Sequence, residues 1–416
     1  MNERELVALR RDLHAHPEPA FLEIRTAALV LRRLAGVCDT LLTGREAMRA
    51  DVVADYPGRA ARERAAAAAV AAGADPGAAA RLAREGTAIV ADLAGHRPGP
   101  VWGLRFDMDA LPVAESAEPG HPPAAHGFRS ADGAMHACAH DAHTAIGVAL
   151  AHRLADRRFP GRVRLLFQPA EEGARGAAAM IAAGAAEGVE RLVGLHLGND
   201  LPTGVVVGGA LGLLATVKLR AAFHGVAAHA GSAPHLGRDA LAAAAVATLR
   251  LLALPSFPGS RTRVNVGTLR AGEAANVVPA EAELTCEVRA DDEDVAAELE
   301  RRARVAVAGA AAMYEVEAEV VRTGRSCAMT PDDALVDAVV RAALRRCGPG
   351  RVRRHHTLSA SDDVSVWARE VRGRGGLATF VLVGGGNRAP HHHPRFDVDE
   401  DAMTVAVDVL EELVRG

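Results

Sequence analysis

Lysine is almost missing from this 416-residue chain: of 48 basic residues only Lys218 is a lysine. The habit, like the abundance of alanine, reflects base composition rather than function. A formal charge of −4 gives no basic balance of the kind that nucleic acid requires. Cysteine is scarce too. Five residues at positions 38, 138, 286, 327 and 347, an odd and scattered set, do not make a disulfide framework and fit a reducing cytoplasm. The longest apolar stretches are rich in alanine and broken by Gly or Arg, short of the roughly 20 residues that span a bilayer. The opening MNERELVALRRDL reads as a charged amphipathic helix without the apolar centre of a secretory signal, so no membrane partner and a cytoplasmic location are expected. No G-x-x-x-x-G-K phosphate loop, G-x-S-x-G elbow, heptad array or internal repeat occurs.

Chemistry-bearing residues are concentrated instead. MHACAHDAHT, from Met135 to Thr144, packs one thiol, three imidazoles and a carboxylate into one short segment. Cys138 and His140 can reach a common ion from an extended turn, and His140 and His143 lie three apart at the mouth of an Ala-rich helix. Such donors suit zinc or another first-row divalent ion. In GRVRLLFQPAEEGARGAAAMIAAG, Val163, Leu165 and Phe167 alternate as in a strand and Ala177 to Ala183 read as helix. Glu171 and Glu172 therefore sit just past a strand's end. Adjacent side chains on an extended segment point opposite ways, so one carboxylate can bind a metal while its neighbour faces the water.

RLVGLHLGND is a second apolar strand with His196 near its carboxyl end. Sites in open α/β sheets collect at such ends, which brings Glu171, Glu172 and His196 to one rim. FVLVGGGNRAPHHHPRFDVDE places His391, His392 and His393 after another apolar strand and a Gly-rich loop. Between these regions, from about Leu213 to Arg325, the pattern changes to β-α-β-β-α-β, which forms an open antiparallel sheet with helices on one face. The expected fold is α/β in two domains. A catalytic domain with a central mixed sheet, 1–212 and 326–416, is interrupted by an α+β domain at 213–325.

Together these segments resemble the M20 family of metallo-amidohydrolases, in the branch of amino-acid amide hydrolases and aminobenzoyl-glutamate utilisation proteins. The likeness runs through RRDLHAHPEPAFLEIRTA, WGLRFDMDALPV, the four segments above, AFHGVAAHAGSAPHLGRDAL, NVVPAEAELTCEVRADDE and SASDDVSVWA. It implies two divalent ions, Mn2+ or Zn2+, held by Cys138, His140, Glu172, His196 and His392, with the Cys138 thiolate as the bridge. His391 and His393 stay open as alternatives for the last ligand. Glu171 would be the general base, and Asp107 the carboxylate that orients a ligand imidazole.

The resemblance makes the inserted domain a lid that also forms the dimer contact. His229 would reach the partner's active site to stabilise an oxyanion, while Asn276 and Arg289 would hold the substrate. Read from the residues themselves, Asn276 equally closes a turn before Pro279, and Arg289 equally serves as a solvated strand residue. The implied reaction is hydrolysis of an N-acyl amino acid. The Ala-rich insertion from about Gly44 to Gly86, broken at Asp75, Pro76 and Gly77, and the ending HHHPRFDVDE resemble the aminobenzoyl-glutamate group of that branch, a likeness that implies p-aminobenzoyl-glutamate as the substrate. The other expectations are a general N-acyl-amino-acid hydrolase, a hetero-oligomer with a related chain, and a non-catalytic member of such an assembly. Two residues depart from the family pattern: Ala139 stands where Gly is usual, and Asp362 where Glu is.

Overall fold

The computed structural model describes residues 1–131 and 133–416. The chain divides into two compact units. One comprises Met1–Leu211, Thr330–Leu358 and Asp363–Gly416, the other Gly212–Met329 with Ser359–Asp362. Strands follow in chain order as β1 (Thr40–Thr43), β2 (Ile89–Ala94), β3 (Arg97–Asp107), β4 (Pro160–Gln168), β5 (Arg191–Leu197) and β6 (Val206–Leu211). The second unit holds β7 (Ala215–His224), β8 (Thr262–Ala271), β9 (Glu281–Ala290) and β10 (Glu317–Ser326). The chain then returns to the first unit with β11 (Val352–Thr357) and β12 (Leu377–Val383).

The first unit carries an eight-stranded sheet in the order β1-β2-β4-β3-β5-β12-β6-β11. Its centre, β4-β3-β5-β12, is parallel, while β2 runs antiparallel to β4 and β6 antiparallel to β12. The central strands read as near-continuous apolar runs because both of their faces are covered. In β5 the alternation assigns the faces: Val193, Leu195 and Leu197 join the core built with the helix His140–Arg153. The other face carries Gly194, where a Cβ would meet Val364 and the ring of Phe380. His196 shares that face and packs edge-on to Phe380.

The helix His140–Arg153 is buried from His140 to Ala151, so it is covered on all sides rather than amphipathic, with its polar residues gathered in the first turns. It lies so close to the sheet that a Cβ on Gly147 would stand 2.7 Å from the Phe106 ring and 2.8 Å from that of Phe167. The Ala-rich insertion forms two helices, Arg59–Ala71 and Pro76–Glu85, and Asp75 caps the second by accepting from Ala78 N at 2.7 Å. Ala69, Ala79 and Leu82 join the same core. Helix 364–373 packs against β5 and β12.

The second unit is the β-α-β-β-α-β arrangement. Its sheet, ordered β10-β7-β9-β8, is antiparallel throughout. Helices Ala240–Leu252 and Glu293–Met313 bury small side chains, among them Ala243, Ala247, Ala303 and Ala310, against alternate residues of the strands. Small residues let helix and sheet approach closely where few large side chains are available to fill a core.

Candidate metal centre and active site

The carboxyl ends of β3, β4, β5 and β12 deliver the chemistry. Asp107 closes β3, Glu171 and Glu172 follow β4, His196 is the penultimate residue of β5, and the loop after β12 leads to the three histidines. This is where the chain leaves adjacent parallel strands in different directions, the usual place for a site in an open sheet. Cys138 and His140 arrive at the N-terminus of the buried helix, through Ala139 at φ +65°. The departure from Gly at 139 therefore leaves a left-handed backbone in place. An alanine there costs about 1–2 kcal/mol relative to the α region.

Two donor groups share the Cys138 sulfur. Cys138, His140 and His196 form one, and Cys138, Glu172 and His392 the other, with the donor atoms of each group within 4.8 Å of one another. Cys138 Sγ lies 3.4 Å from His196 Nε2, and His392 Nε2 lies 3.5 Å from Glu172 Oε2. His140 Nε2 stands 3.9 Å from Glu171 Oε2 and 4.0 Å from Glu172 Oε1. Among the three consecutive histidines, His392 faces this group. His391 Nε2 donates to the Leu197 carbonyl at 3.2 Å, and His393 Nδ1 accepts from Arg395 N at 3.1 Å.

The donor chemistry fits divalent ions. His140 Nδ1 donates to the Asp109 carbonyl at 2.8 Å, which leaves Nε2 as the lone-pair nitrogen, buried and without a hydrogen-bond partner. His196 Nδ1 likewise donates to the Leu197 carbonyl at 2.9 Å, freeing its Nε2. A backbone acceptor on the far nitrogen is the usual way to fix a ligand imidazole. Burial and then the Glu172 charge push the Cys138 thiol well above its ordinary range, so a cation is needed for the thiolate. Burial opposes charge on His140, yet Asp107, the Asp109 hydrogen bond and Cys138 outweigh it and raise its pKa, so an ion bound at Nε2 would take the place of a proton there. Burial, with His143 and His391 nearby, holds His196 neutral.

Two sequence expectations need correction. Glu171 and Glu172 do not lie on an extended segment but in a turn between Ala170 (φ +56°) and Ala174 (φ +54°). The turn persists because buried carboxylates take its amides: Glu23 Oε1 accepts from Ala170 N at 3.0 Å, Asp109 Oδ1 from Glu171 N at 2.9 Å, and Asp109 Oδ2 from Glu172 N at 3.1 Å. Second, the imidazole that Asp107 holds is His143, at 2.6 Å from Nδ1, whereas His140 Nδ1 is held by Asp109. His143 Nε2 in turn accepts from Leu197 N at 2.9 Å, so both of its nitrogens are spent and it ties the helix to β5.

Sequence reasoning missed Asp109, which positions both glutamates and His140 at once. The signal was its spacing two residues after Asp107. It also missed the support beneath. Arg105 is fully buried and donates to Asp107, to Gln168 Oε1 at 3.0 Å and to Asp363 Oδ1 at 2.8 Å. Trp367 Nε1 donates to the same Gln168 oxygen at 2.7 Å.

The remaining expected residues belong to the second unit. His229 is exposed, and its Nδ1 accepts from Gly231 N and Ser232 N, each at 3.1 Å, so its proton sits on Nε2. Asn276 is exposed, and its backbone carbonyl accepts from Ala230 N at 3.0 Å. Arg289 donates through its fork to Glu287 Oε1 at 2.8 Å and Oε2 at 3.0 Å on its own strand. Asp362 also falls in this unit.

A rim of thiolate, imidazole and carboxylate donors on this mixed sheet, with a second carboxylate beside them, defines a metal-dependent hydrolase of amide bonds. The chain belongs to peptidase family M20/M25/M40, whose model matches residues 103–416. It is 40% identical over 411 residues to indole-3-acetyl-aspartic acid hydrolase of Enterobacter agglomerans, covering 98% of this chain and 94% of that one. It is 39% identical over 405 residues to a p-aminobenzoyl-glutamate hydrolase subunit of Escherichia coli (strain K12), covering 96% and 93%. The crystal structure of an aminobenzoyl-glutamate utilization protein from Klebsiella pneumoniae superposes with a TM-score of 0.84 at 36% identity, over 99% of this chain and 95% of that chain. No helix among the described residues is long and apolar enough to cross a membrane.

Proposed function

We propose that the chain hydrolyses the amide of an aromatic N-acyl amino acid, p-aminobenzoyl-glutamate above all, to p-aminobenzoate and glutamate. The observation that carries this is the pair of donor groups sharing Cys138, with Glu171 held beside them by Asp109. Cys138, His140, Glu172, His196 and His392 would hold two divalent ions, Mn2+ or Zn2+. Bound there, the ions supply a water of lowered pKa and polarise the scissile carbonyl. Glu171 receives the water's proton and returns it to the leaving nitrogen. Its backbone clamp keeps that carboxylate from drifting during the transfer. His229, carrying its proton on Nε2, is the donor suited to a developing oxyanion.

The two relatives' names support an aromatic acyl group joined to an acidic amino acid. They also give the indole-3-acetyl group a claim beside the aminobenzoyl one. Release of p-aminobenzoate by manganese-loaded protein, with Glu171→Ala as control, tests the reading. Faster cleavage of indole-3-acetyl-aspartate would shift the acyl assignment, and no cleavage of either would sink it.

We extend the reading to a homodimer in which His229 serves the partner's site. Mixed inactive His229→Ala and Glu171→Ala chains should then regain activity. No recovery despite proven exchange of chains would refute the homodimer. A hetero-oligomer with a related second chain would then take its place, in keeping with the relative from Escherichia coli, whose name makes it one subunit of its hydrolase.

A further inference from the structure

Among the described residues, one guanidinium beside the catalytic turn has no anion to hold. Arg175 follows the two glutamates by three residues and folds back on the turn at Gly173, where an added Cβ would collide with its Nε. It pairs with no carboxylate among the described residues, and its Nε is buried without a hydrogen-bond partner. Other arginines of this unit meet carboxylates. Arg10 meets Asp141 at 2.7 Å and Asp397 at 2.6 Å, Arg105 meets Asp107 and Asp363, and Arg164 meets Asp92 at 2.8 Å.

What holds Arg175 is an aromatic shelf. Its guanidinium carbon lies 5.3 Å from the centroid of the Phe21 ring, and Phe21 packs on Tyr56 at 5.1 Å. Arg62 closes the far side, 5.3 Å from the Tyr56 ring. Aromatics make up only 3% of the chain, so this placement is a costly use of a rare residue class. Glu23 Oε1 ties the shelf to the turn, accepting from Phe21 N at 2.9 Å and Ala170 N at 3.0 Å. Contact with an aromatic face holds a guanidinium without using up its N–H donors, which remain to grip a carboxylate.

We propose that Arg175 binds a carboxylate of the substrate's amino-acid half and so selects acidic N-acyl amino acids. The proposal rests on the amide-hydrolase reading and adds the specificity determinant. Tyr56 and Arg62, which brace the shelf, come from the insertion that follows the first helices. Arg289, the lid arginine expected to do this work, is already engaged by Glu287.

The test is calorimetric binding to metal-loaded Glu171→Gln protein, so that nothing is turned over, with and without Arg175→Met, which keeps a side chain on the Phe21 ring. The ligands are p-aminobenzoyl-glutamate, p-aminobenzoyl-glutamine, which lacks the side-chain carboxylate, and p-aminobenzoyl-4-aminobutyrate, which lacks the α-carboxylate. Arg175→Met should weaken the glutamate compound roughly 30- to 100-fold. Arg175→Lys should fall between. If the effect vanishes for the glutamine compound and persists for the 4-aminobutyrate compound, the side-chain carboxylate is the one held, as the proposal requires; the reverse pattern would place Arg175 on the α-carboxylate and overturn the selection of acidic substrates. Equal affinity of both proteins for the glutamate compound would overturn the proposal, as would the same weakening for all three ligands. Failure of the native protein to release p-aminobenzoate is a separate result: it would remove the acyl assignment and leave this binding comparison to be decided by itself.

Discussion

The turn that carries Glu171 and Glu172 and the loop that carries His391 to His393 supply the same small volume, yet they are built in opposite ways. In the turn, three consecutive amides end on buried carboxylates of Glu23 and Asp109. In the loop, His392 is anchored by its own N–H to the Ala137 carbonyl at 2.8 Å, while its side chain is 54% exposed. The difference separates two tasks. Proton transfer needs a carboxylate fixed within tenths of an ångström, whereas a last ligand can be drawn in by the ion it binds.

The largest effect should come from the turn's own acid. Glu171→Ala is expected to lower kcat about 10³-fold or more while metal content, measured by elemental analysis, stays at the native level. Loss of metal would mean that the two glutamates have been assigned in the wrong order. Asp109→Asn comes next, because one amide oxygen cannot accept both N–H groups and the new NH2 opposes one of them. A destabilisation of about 2 kcal/mol and a kcat reduced roughly 10²-fold are expected, with KM little changed. If kcat held while stability fell, Asp109 would be a fold residue only.

The loop is probed by comparing its three histidines. His392→Ala should weaken metal affinity at least about 10-fold, and His391→Ala and His393→Ala less. Equal losses across the three would break the comparison. The smallest effect concerns Glu23, whose pKa burial and then Asp109 push up to about 8. Its folded value lies above its unfolded one, so its stabilising contribution is complete below about pH 4.5 and is lost as pH rises toward 8. Glu23→Gln, which can still accept from both amides, should flatten the decline of Tm between pH 5 and 8 by a few degrees. An unchanged slope would show that Glu23 is ionised throughout.

Much of this was legible in the residues alone. Period-two alternation placed Glu171 and Glu172 after β4, a short apolar run placed His196 near the end of β5, and the switch of pattern after Leu213 announced the β-α-β-β-α-β unit. What the sequence hid was backbone conformation imposed from a distance. Ala139 is marked by the Gly usual at its position, but Ala170 and Ala174 also take positive φ, and no residue preference announces that for alanine. Glu23 and Asp109 were not legible as clamps of this turn, because the turn's amides lie more than 60 positions along the chain from them. Local rules fail where a functional site over-determines the chain, and here they fail around the donors themselves.

The central claim is that Glu171 moves the proton and the five neighbouring donors hold the metal. Metal content and p-aminobenzoate release, measured side by side on native and Glu171→Gln protein, test it most directly. The account predicts the same two ions per chain in both and turnover in the native protein alone. A variant that lost metal, or one that kept turning over substrate, would contradict it.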